Sequence, residues 1–312
     1  MKDFPIPLVA LGPGSQTEDE TLDYLPLPAD MDTYRPPRLP EPEELGEHAQ
    51  ALAVLHAVLG LLAQDGAGGA LPLRGLPAED LQLLGQVLGE GEASAVVQGG
   101  VEGAQRDESQ GERKDESDGE SKDEEVRIQE SVFAGVWRVL RWQAGLPVGD
   151  ALEVGPVPAC VRAAALADVW PAAARPVWRG PLPPNVLNAP QIVAEICDAA
   201  TRWQPGQLPY VVNLSLLPVT PEDIAYLDHQ LGTGRVRLLS RGYGNCRITN
   251  TRWPNCWRVV YYNSFDKVIL NTVEVVDLPE VAQAAPEDLR DAHERLADVL
   301  ALLGAPAAEA GA

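Results

Sequence analysis

The amino-acid sequence predicts an α+β fold made of two tandem copies of one helix–strand–helix–antiparallel sheet–helix module, preceded by a proline-rich extended arm. Three observations lead to this prediction. A motif of the form Arg-Ile-x-x-Ser/Thr-(five residues)-Trp-Arg-Val begins at Arg127 and again at Arg247. Similar helix and turn signals surround both occurrences, and proline-rich segments precede the first copy and separate the two. An internal duplication accounts for all three features.

The repeat extends beyond this motif. The matching positions upstream are Glu79, Asp80, Leu84, Leu88, Gly89 and Gly91 with Glu222, Asp223, Leu227, Leu231, Gly232 and Gly234, and those downstream are Glu153, Val154 and Pro158 with Glu274, Val275 and Pro279. The two copies have the same spacing except for about 23 extra residues in the first. These extra residues lie within the acidic, Gly- and Ser-rich run 98–125. That run cannot bury enough apolar surface to fold, so we expect a disordered insert to which we assign no function.

These patterns divide the chain into five parts. They are an acidic, proline-rich arm at 1–42, module 1 at 43–170 with the insert at 98–125, a linker at 171–189, module 2 at 190–305 and a tail at 306–312. Nine prolines exclude regular structure from most of the arm, and the prolines of the linker indicate a stiff, extended spacer.

Each module is expected to begin with a helix and a strand. In module 1 the helix starts at Glu43 and ends near Asp65, with leucines on one stripe. In module 2 the helix runs from Pro190 to Trp203 and begins with a proline, where a missing amide donor does little harm. Short apolar runs at 70–73 and 210–217 follow these helices and predict strands.

The rest of module 2 has the clearest local signals. Thr220 and Pro221, followed by two carboxylates in the first turn, predict a capped helix that ends at Gly232. Runs rich in Val, Ile, Tyr and Leu then predict three antiparallel strands at 235–240, 256–262 and 267–276. A closing helix at 286–303, with leucines on one face, is expected to cover this sheet.

Composition restricts the partners and the compartment. The formal net charge of -22 argues against nucleic acid, whose binding is driven by Lys and Arg that displace counterions. The first residues lack the features of a secretory signal, and no apolar run is long enough for a spanning helix. Four scattered cysteines do not form a disulfide framework. We therefore expect a cytoplasmic protein with free thiols and no membrane partner.

The sequence also lacks the common catalytic motifs. The Gly-x-Ser-x-Gly elbow, a Cys-x-x-Cys pair and a His-Glu-x-x-His helix are absent. The run Gly12, Pro13, Gly14, Ser15, Gln16 resembles a phosphate-binding loop only superficially, because the Gly-Lys-Ser/Thr ending is missing. A turn or a recognition segment is the better interpretation. We predict no catalytic residue and no enzymatic activity.

Two cysteines and a group of aromatic residues leave alternatives open. Cys246 and Cys256 align with Val126 and Val136 of the first copy, which favours buried positions, while a metal, cluster or redox role is the alternative. Aromatic residues are concentrated around the second copy of the motif and supply either core packing or a contact surface. They are Tyr243, Trp253, Trp257, Tyr261 and Tyr262.

Two long segments resemble a known family. The arm carries MKDFPIPLVALGPGSQ and YRPPRLPEPEE, and the second module carries SRGYGNCRITNTRWPNCWRVVYYNS followed by VILNTVEVVDLPEVA. These segments look like the HupH/HoxQ/HyaF family of accessory proteins for nickel–iron uptake hydrogenases. The resemblance covers the arm, both copies of the repeat and nearly the whole chain outside the insert.

The resemblance implies a maturation factor that acts as a chaperone for the hydrogenase small-subunit precursor, holding it during iron–sulfur cluster insertion and before twin-arginine export. A second accessory protein is an implied further partner, and no resident cofactor is implied. The expected client-binding residues are Gly12, Pro13, Gly14, Ser15 and Gln16 of the arm with Trp253, Trp257, Arg258 and Tyr262 of module 2. The alternative is a carrier in which Cys246 and Cys256 transiently hold iron or an iron–sulfur cluster.

Overall fold

The computed structural model describes residues 48–64, 68–99, 124–242 and 244–303. Within these ranges the chain forms six α-helices and ten β-strands. In chain order they are α1 (Ala49–Leu62), β1 (Gly69–Pro72), α2 (Ala78–Leu88), β2 (Ala93–Gln98), β3 (Glu124–Glu130), β4 (Val136–Gln143), β5 (Leu146–Val154), α3 (Ala159–Ala167), α4 (Ala189–Arg202), β6 (Tyr210–Asn213), α5 (Pro221–Leu231), β7 (Thr233–Ser240), β8 (Asn245–Thr251), β9 (Cys256–Tyr262), β10 (Val268–Val275) and α6 (Pro286–Leu303). The predicted combination of helices with antiparallel sheet is confirmed.

The order of elements recurs along the chain. A helix, a strand, a helix, four strands and a helix occupy 49–167, and the same order returns at 189–303. The first strand of each series also pairs with its last strand, β1 with β5 and β6 with β10. This recurrence is what a duplication requires, and the duplication itself stays a prediction.

The described residues form two compact units that are not continuous in sequence. The first unit contains the described residues of 48–167 together with 235–242 and 280–303, and the second contains 168–234 and 244–279. The predicted modules at 43–170 and 190–305 are each one continuous segment, and the two units differ from them. In particular, α6 belongs to the first unit, where it packs on α1.

The first unit is an antiparallel sheet with strand order β1-β5-β4-β3-β2-β7 and a helical layer. Residues Ala51, Leu55, Val58 and Leu62 form the buried stripe of α1, at the spacing of one helix face. They join Leu84 and Val87 of α2, Leu296 and Leu300 of α6, and Leu152 of β5 in one apolar core. The leucine stripe predicted for the closing helix is therefore buried, and it is buried in this core.

The second unit has the strand order β8-β9-β10-β6, with α4 and α5 on one face of the sheet. Its core consists of Ile192, Ile196 and Ala200 of α4, Ile224, Leu227 and Leu231 of α5, and Val212, Cys256, Val273 and Val275 of the sheet. Ile192 and Ile196 lie on the buried face of α4. The prediction for this helix is confirmed to within one residue at each end.

Helix α5 starts and ends as its sequence predicts. Thr220 accepts a hydrogen bond from the backbone N–H of Asp223, and Asp223 accepts one from the N–H of Thr220, which completes a capping box. Pro221 occupies the first helical position, and the helix ends before Gly232, whose φ of 65° favours glycine.

Other predictions differ from the structure or lie outside it. The segment predicted as a spacer packs on α5, where Val186 and Ala189 are buried against Tyr226. Strand β8 was not predicted, and the apolar run 210–217 ends as a strand at Asn213. Residues 1–47, most of the insert at 100–123 and residues 304–312 lie outside the described residues. No helix in the described part of the chain is long and apolar enough to cross a membrane.

Candidate functional site

Two of the aromatic residues predicted to bind a client are internal. Trp257 on β9 is 3 % exposed, and its Nε1 donates a hydrogen bond to the backbone carbonyl of Asp277, 3.1 Å away. Tyr262, the last residue of β9, is 5 % exposed, and the guanidinium of Arg247 lies 5.6 Å from its ring centroid. Water has almost no access to either side chain, so neither is available to a client in this conformation.

Trp253 and Arg258 attach the C-terminal part of α5 to the sheet. The Trp253 Nε1 donates to the carbonyl of Gln230 at 3.1 Å, and the guanidinium of Arg175 lies 4.4 Å from the centre of the Trp253 ring. The Arg258 guanidinium pairs with the Asp228 carboxylate on α5. These contacts give Trp253 and Arg258 a structural role. The other residues predicted to bind a client, Gly12–Gln16 of the arm, lie outside the described residues.

The two candidate metal-binding thiols lie apart from each other. Cys246 is opposite Tyr261 in the β8–β9 ladder, and Cys256 is five residues from Tyr261 on β9. At about 3.4 Å per residue, this places the two cysteines about 17 Å apart along the ladder. The odd number of residues also directs their side chains to opposite faces of the sheet. They cannot share one metal ion without rearrangement of the sheet.

Burial further reduces the reactivity of these thiols. Cys246 and Cys256 are each 2 % exposed, and burial raises the pKa of each to about 12. The thiolate is the form that binds metals, whereas both thiols are protonated near neutral pH, so they are poor metal ligands in this conformation. Among the described residues, no group of three or more His, Cys, Asp or Glu side chains is placed to hold a metal ion.

The outermost strand of the second unit presents a different surface. Strand β6 pairs with β10 and stands last in the strand order. Large apolar side chains are exposed on β6, in the segments just before and after it, on β10 and in the turn between β9 and β10. We call this set the edge surface: Leu208, Tyr210, Val211, Leu216, Phe265 and Ile269.

The exposure of these residues is substantial. Leu208, Leu216 and Phe265 are 88 %, 81 % and 80 % exposed, and Val211 is 50 % exposed. Ile269 lies at a register shift between β9 and β10, where one extra residue interrupts the pairing. Several exposed apolar side chains on neighbouring segments are more typical of protein–protein contact sites than single exposed residues are.

Polar contacts hold the edge surface in place. The turn Leu214–Leu216 follows β6 directly, and the Ser215 hydroxyl accepts a hydrogen bond of 2.8 Å from the backbone N–H of Asn271 on β10. The Asn213 side chain accepts from the N–H of Ser215 at 3.0 Å. Leu216 is therefore presented from a fixed turn.

Carboxylates flank the edge surface on both sides of the sheet. The hydroxyl of Tyr210 donates to the Glu195 carboxylate on α4. On the opposite face, Glu274 lies directly across from Val211 in the β10–β6 ladder. Burial raises the pKa of Glu274 above its ordinary value, and a hydrogen bond of 3.1 Å from the Thr272 hydroxyl partly offsets this effect. A positive charge brought near Glu274 would stabilise its ionised form.

The sequence held part of the signal for this surface. Val211 and Val212 predicted the strand, but Val211 has no feature that separates it from a buried strand residue. Its exposure depends on β6 being outermost, and that depends on the pairing of β6 with β10, about 60 residues away in sequence. The Leu-Ser-Leu-Leu run after the strand was the remaining sequence signal for apolar residues near this edge.

Comparisons with known proteins identify the family of this chain. The family described as HupH hydrogenase expression protein, C-terminal conserved region, matches residues 186–303, a segment that contains the whole edge surface. The chain is 49 % identical over 309 residues to the hydrogenase expression/formation protein HoxQ of Cupriavidus necator, covering 97 % of this chain and 99 % of that protein.

More distant relatives agree over nearly the same length. Identity is 40 % to the hydrogenase expression/formation protein HupH of Rhodobacter capsulatus, with 96 % and 98 % of the two chains covered. It is 29 % to the hydrogenase-1 operon protein HyaF of Escherichia coli, with 93 % and 94 % covered. A solved structure of the hydrogenase expression protein HupH from Thiobacillus denitrificans matches with 26 % identity and a TM-score of 0.33, covering 38 % of this chain and 95 % of that one.

Near-complete coverage at these identities defines a single protein family. The chain belongs to the hydrogenase expression/formation proteins that include HoxQ, HupQ, HupH and HyaF. The resemblance found in the sequence is thereby confirmed.

Proposed function

We propose that this protein is a cytoplasmic accessory factor of hydrogenase maturation and that it binds the hydrogenase small-subunit precursor as a chaperone. Relatives that cover nearly the whole chain are named hydrogenase expression/formation proteins, which supports the role in maturation. The single observation that supports client binding is the edge surface, an exposed apolar margin inside the segment that matches the family.

The proposed mechanism requires binding and release without a chemical step. An immature client exposes apolar surface that is buried only after its cofactors and partner subunit are in place. The edge surface covers part of that apolar surface, and the apolar area removed from water stabilises the complex by about 25 cal/mol per Å² before the costs of association. Assembly of the client removes the binding segment and releases the chaperone. A second accessory protein is part of the same proposal.

An iron or iron–sulfur carrier is the competing function. Its proposed ligands, Cys246 on β8 and Cys256 on β9, are buried, protonated and on opposite faces of the sheet. The geometry therefore favours the chaperone.

Affinity capture from cells that lack the hydrogenase large subunit tests the proposed function. Mass spectrometry of the wild-type complex should identify the small-subunit precursor with its export signal still attached. Val211→Lys combined with Leu216→Lys should reduce recovery about tenfold, since charge on the edge surface opposes apolar docking. Leu166→Lys on α3 is the matched control, because Leu166 is also an exposed leucine, at 69 %, and it lies in the first unit.

One result would decide against the chaperone, and another would decide against the edge surface as its binding site. If the wild-type protein recovers iron-centre assembly proteins and no precursor, the carrier is favoured. If the edge variant and Leu166→Lys recover equal amounts of precursor, the client binds elsewhere on the protein.

A further inference from the structure

We propose that β6 binds its partner by strand addition: an extended, positively charged apolar segment pairs with the outer edge of β6 and continues the sheet. The inference rests on the proposed function for the identity of the client, and it adds the binding mode and the chemistry of the segment. It follows from the direction of the backbone groups of β6 and from the carboxylates beside them.

The first step is the orientation of β10. Along an antiparallel strand, successive residues direct their N–H and C=O groups alternately to the two sides. The N–H of Asn271 reaches the Ser215 hydroxyl on the β6 side at 2.8 Å, and the N–H of Val276 reaches the Asn255 carbonyl on the β9 side at 2.7 Å. Odd-numbered residues of β10 therefore direct their backbone groups to β6.

The second step is the orientation of β6. Val212 and Tyr210 lie opposite the odd-numbered residues Val273 and Val275, so they exchange hydrogen bonds with β10. Val211 lies opposite Glu274 in a pair without hydrogen bonds. The N–H and C=O of Val211 consequently point away from β10, along the direction in which the sheet would continue.

The ends of β6 limit the length of an added strand. Pro209 precedes the strand and has no N–H to donate, and the turn at Leu214 ends it. About four residues can pair, a span of about 13 Å. Natural edge strands are commonly protected by Lys, Pro or a bulge, but β6 has the sequence Tyr-Val-Val-Asn and its regular pairing with β10. Among the strands that the structure describes, none pairs with this outer edge.

The carboxylates beside β6 determine which kind of segment can bind there. Side chains of an added strand alternate between the two faces of the sheet. On one face they approach Glu195 beside Tyr210, and on the other they approach Glu274 beside Val211. Lys and Arg are long enough to reach these carboxylates across one or two strand spacings of about 4.8 Å. The segment that fits therefore combines apolar residues with Lys or Arg.

Other occupants fit this chemistry poorly. The arm at 1–42 contains three basic and eight acidic residues, so it brings like charge, and its nine prolines interrupt the row of N–H groups that strand pairing needs. A second copy of the chain would place Glu195 and Glu274 against the same carboxylates across a two-fold axis. A positively charged segment of a partner avoids both problems.

Peptide binding tests the mode separately from the identity of the client. The probes are two synthetic peptides of equal length, one a repeat of Val-Arg-Arg-Val and the other a repeat of Val-Glu-Glu-Val, so that charged side chains lie on both faces of an added strand. Their binding is measured by fluorescence anisotropy. The Val/Arg peptide should bind the wild-type protein, and the Val/Glu peptide should bind about tenfold more weakly or not at all. Val211→Pro removes the outward N–H and should weaken the Val/Arg peptide about tenfold, whereas Val211→Thr keeps it and should change binding less than about threefold.

Hydrogen exchange of the wild-type protein is a second test, and it remains valid if Val211→Pro unfolds the strand. In the wild-type protein, the Val211 amide should exchange rapidly when free and about tenfold more slowly with the Val/Arg peptide bound. Equal binding by Val211→Pro and Val211→Thr, or no protection of that amide in the complex, overturns strand addition even if the precursor is captured. The inference is also overturned if the Val211 amide exchanges slowly in the free protein and rapidly after deletion of residues 1–42. That result would mean that the arm itself pairs with β6.

Discussion

Replacing Asp223 with asparagine tests the polar contacts that position both helices of the second unit. Asp223 is 1 % exposed and lies in the first turn of α5. One carboxylate oxygen accepts hydrogen bonds from three backbone N–H groups at the start of α4, those of Leu187, Asn188 and Ala189, at 2.7, 2.9 and 2.9 Å. The other oxygen accepts from the N–H of Thr220 at 3.1 Å.

The expected magnitude follows from these four bonds. Asp223→Asn retains one acceptor oxygen for the α4 amides but removes the charge, and it places an NH2 group against the N–H of Thr220. A hydrogen bond to a charged acceptor contributes about 1.5–3 kcal/mol, roughly twice a neutral one. Losing one such bond and halving three sums to about 4 kcal/mol or more. The smaller desolvation cost of the neutral amide offsets part of this sum, so the free energy of unfolding should fall by about 3 kcal/mol.

Urea unfolding followed by circular dichroism measures this effect. Glu222→Gln is the matched control, because Glu222 lies next to Asp223 in the same helical turn and is exposed. It loses the same charge near the helix N-terminus, where the interaction with the helix dipole contributes about 0.3–1 kcal/mol. The difference between the two variants isolates the buried contacts.

The pH dependence provides a second test. Burial alone would raise the pKa of Asp223, but the hydrogen bonds from Ala189, Thr220, Leu187 and Asn188 outweigh burial and lower that pKa below its ordinary value of 3.8. A lowered folded-state pKa stabilises the protein above the unfolded-state pKa, and this stabilisation is lost as the pH falls through the folded-state pKa. The gap between wild type and Asp223→Asn should be constant near neutral pH and shrink below about pH 4. Equal stabilities of Asp223→Asn and Glu222→Gln at pH 7 would refute the reasoning.

Three further predictions concern buried groups. Because burial raises their pKa to about 12, Cys246 and Cys256 should react with iodoacetamide at pH 8 at least about 100-fold more slowly in the native protein than in urea, as measured by mass spectrometry; equal rates would mean exposed thiols. Trp257→Ala should lower the free energy of unfolding by about 3–5 kcal/mol, and a change below about 1 kcal/mol would contradict its place in the core. Burial is the main cause that raises the pKa of Glu130 to about 7, so wild-type stability should fall as the pH rises from about 4.5 to about 7. Glu130→Gln should remove most of this slope in a thermal unfolding series, up to about 3 kcal/mol, and an unchanged slope would assign it to another group.

Local signals predicted the elements that they specify directly. Thr220, Pro221 and Gly232 fix the two ends of α5 through groups within a few residues of each other, and the predicted bounds are confirmed. The closing helix at 286–303 and strand β9 also have the bounds that their sequence patterns predict. Strand β8 was missed because its sequence, Asn-Cys-Arg-Ile-Thr-Asn-Thr, is mostly polar and has two asparagines, which are depleted in strands. Pairing with β9 outweighs this low propensity.

Tertiary placement was the part that the sequence left undetermined. The leucine stripe of α6 shows that one face must be buried, but a stripe does not identify its partner. The structure buries Leu296 and Leu300 against α1, more than 230 residues earlier in the chain, in the first unit. The edge surface was missed for the same reason, because the exposure of Val211 depends on the neighbours of β6.

The predicted duplication explains why the tryptophans of the repeated motif are buried. Trp137 and Trp257 occupy matching positions, both are buried, and each Nε1 donates to a backbone carbonyl just beyond the next strand, that of Gly155 at 2.9 Å and that of Asp277 at 3.1 Å. Residues that are the same in both copies stabilise the fold, because the fold is what the two copies have in common.

A function found in one copy should depend on positions where the copies differ. The strands β1 and β6 show such a difference. Both are outermost and both pair with the last strand of their series. The exposed positions of β1 are Ala70 and Pro72, a small residue and one without an N–H, whereas those of β6 are Tyr210 and Val211. The strand register matches Ala70 and Pro72 to Val211 and Asn213, so Val211→Ala combined with Asn213→Pro should abolish client capture. The second unit should stay folded, since Ala and Pro already occupy these positions of an outermost strand in the first unit. Full capture by this double variant would show that the difference between the two edges has no bearing on the client.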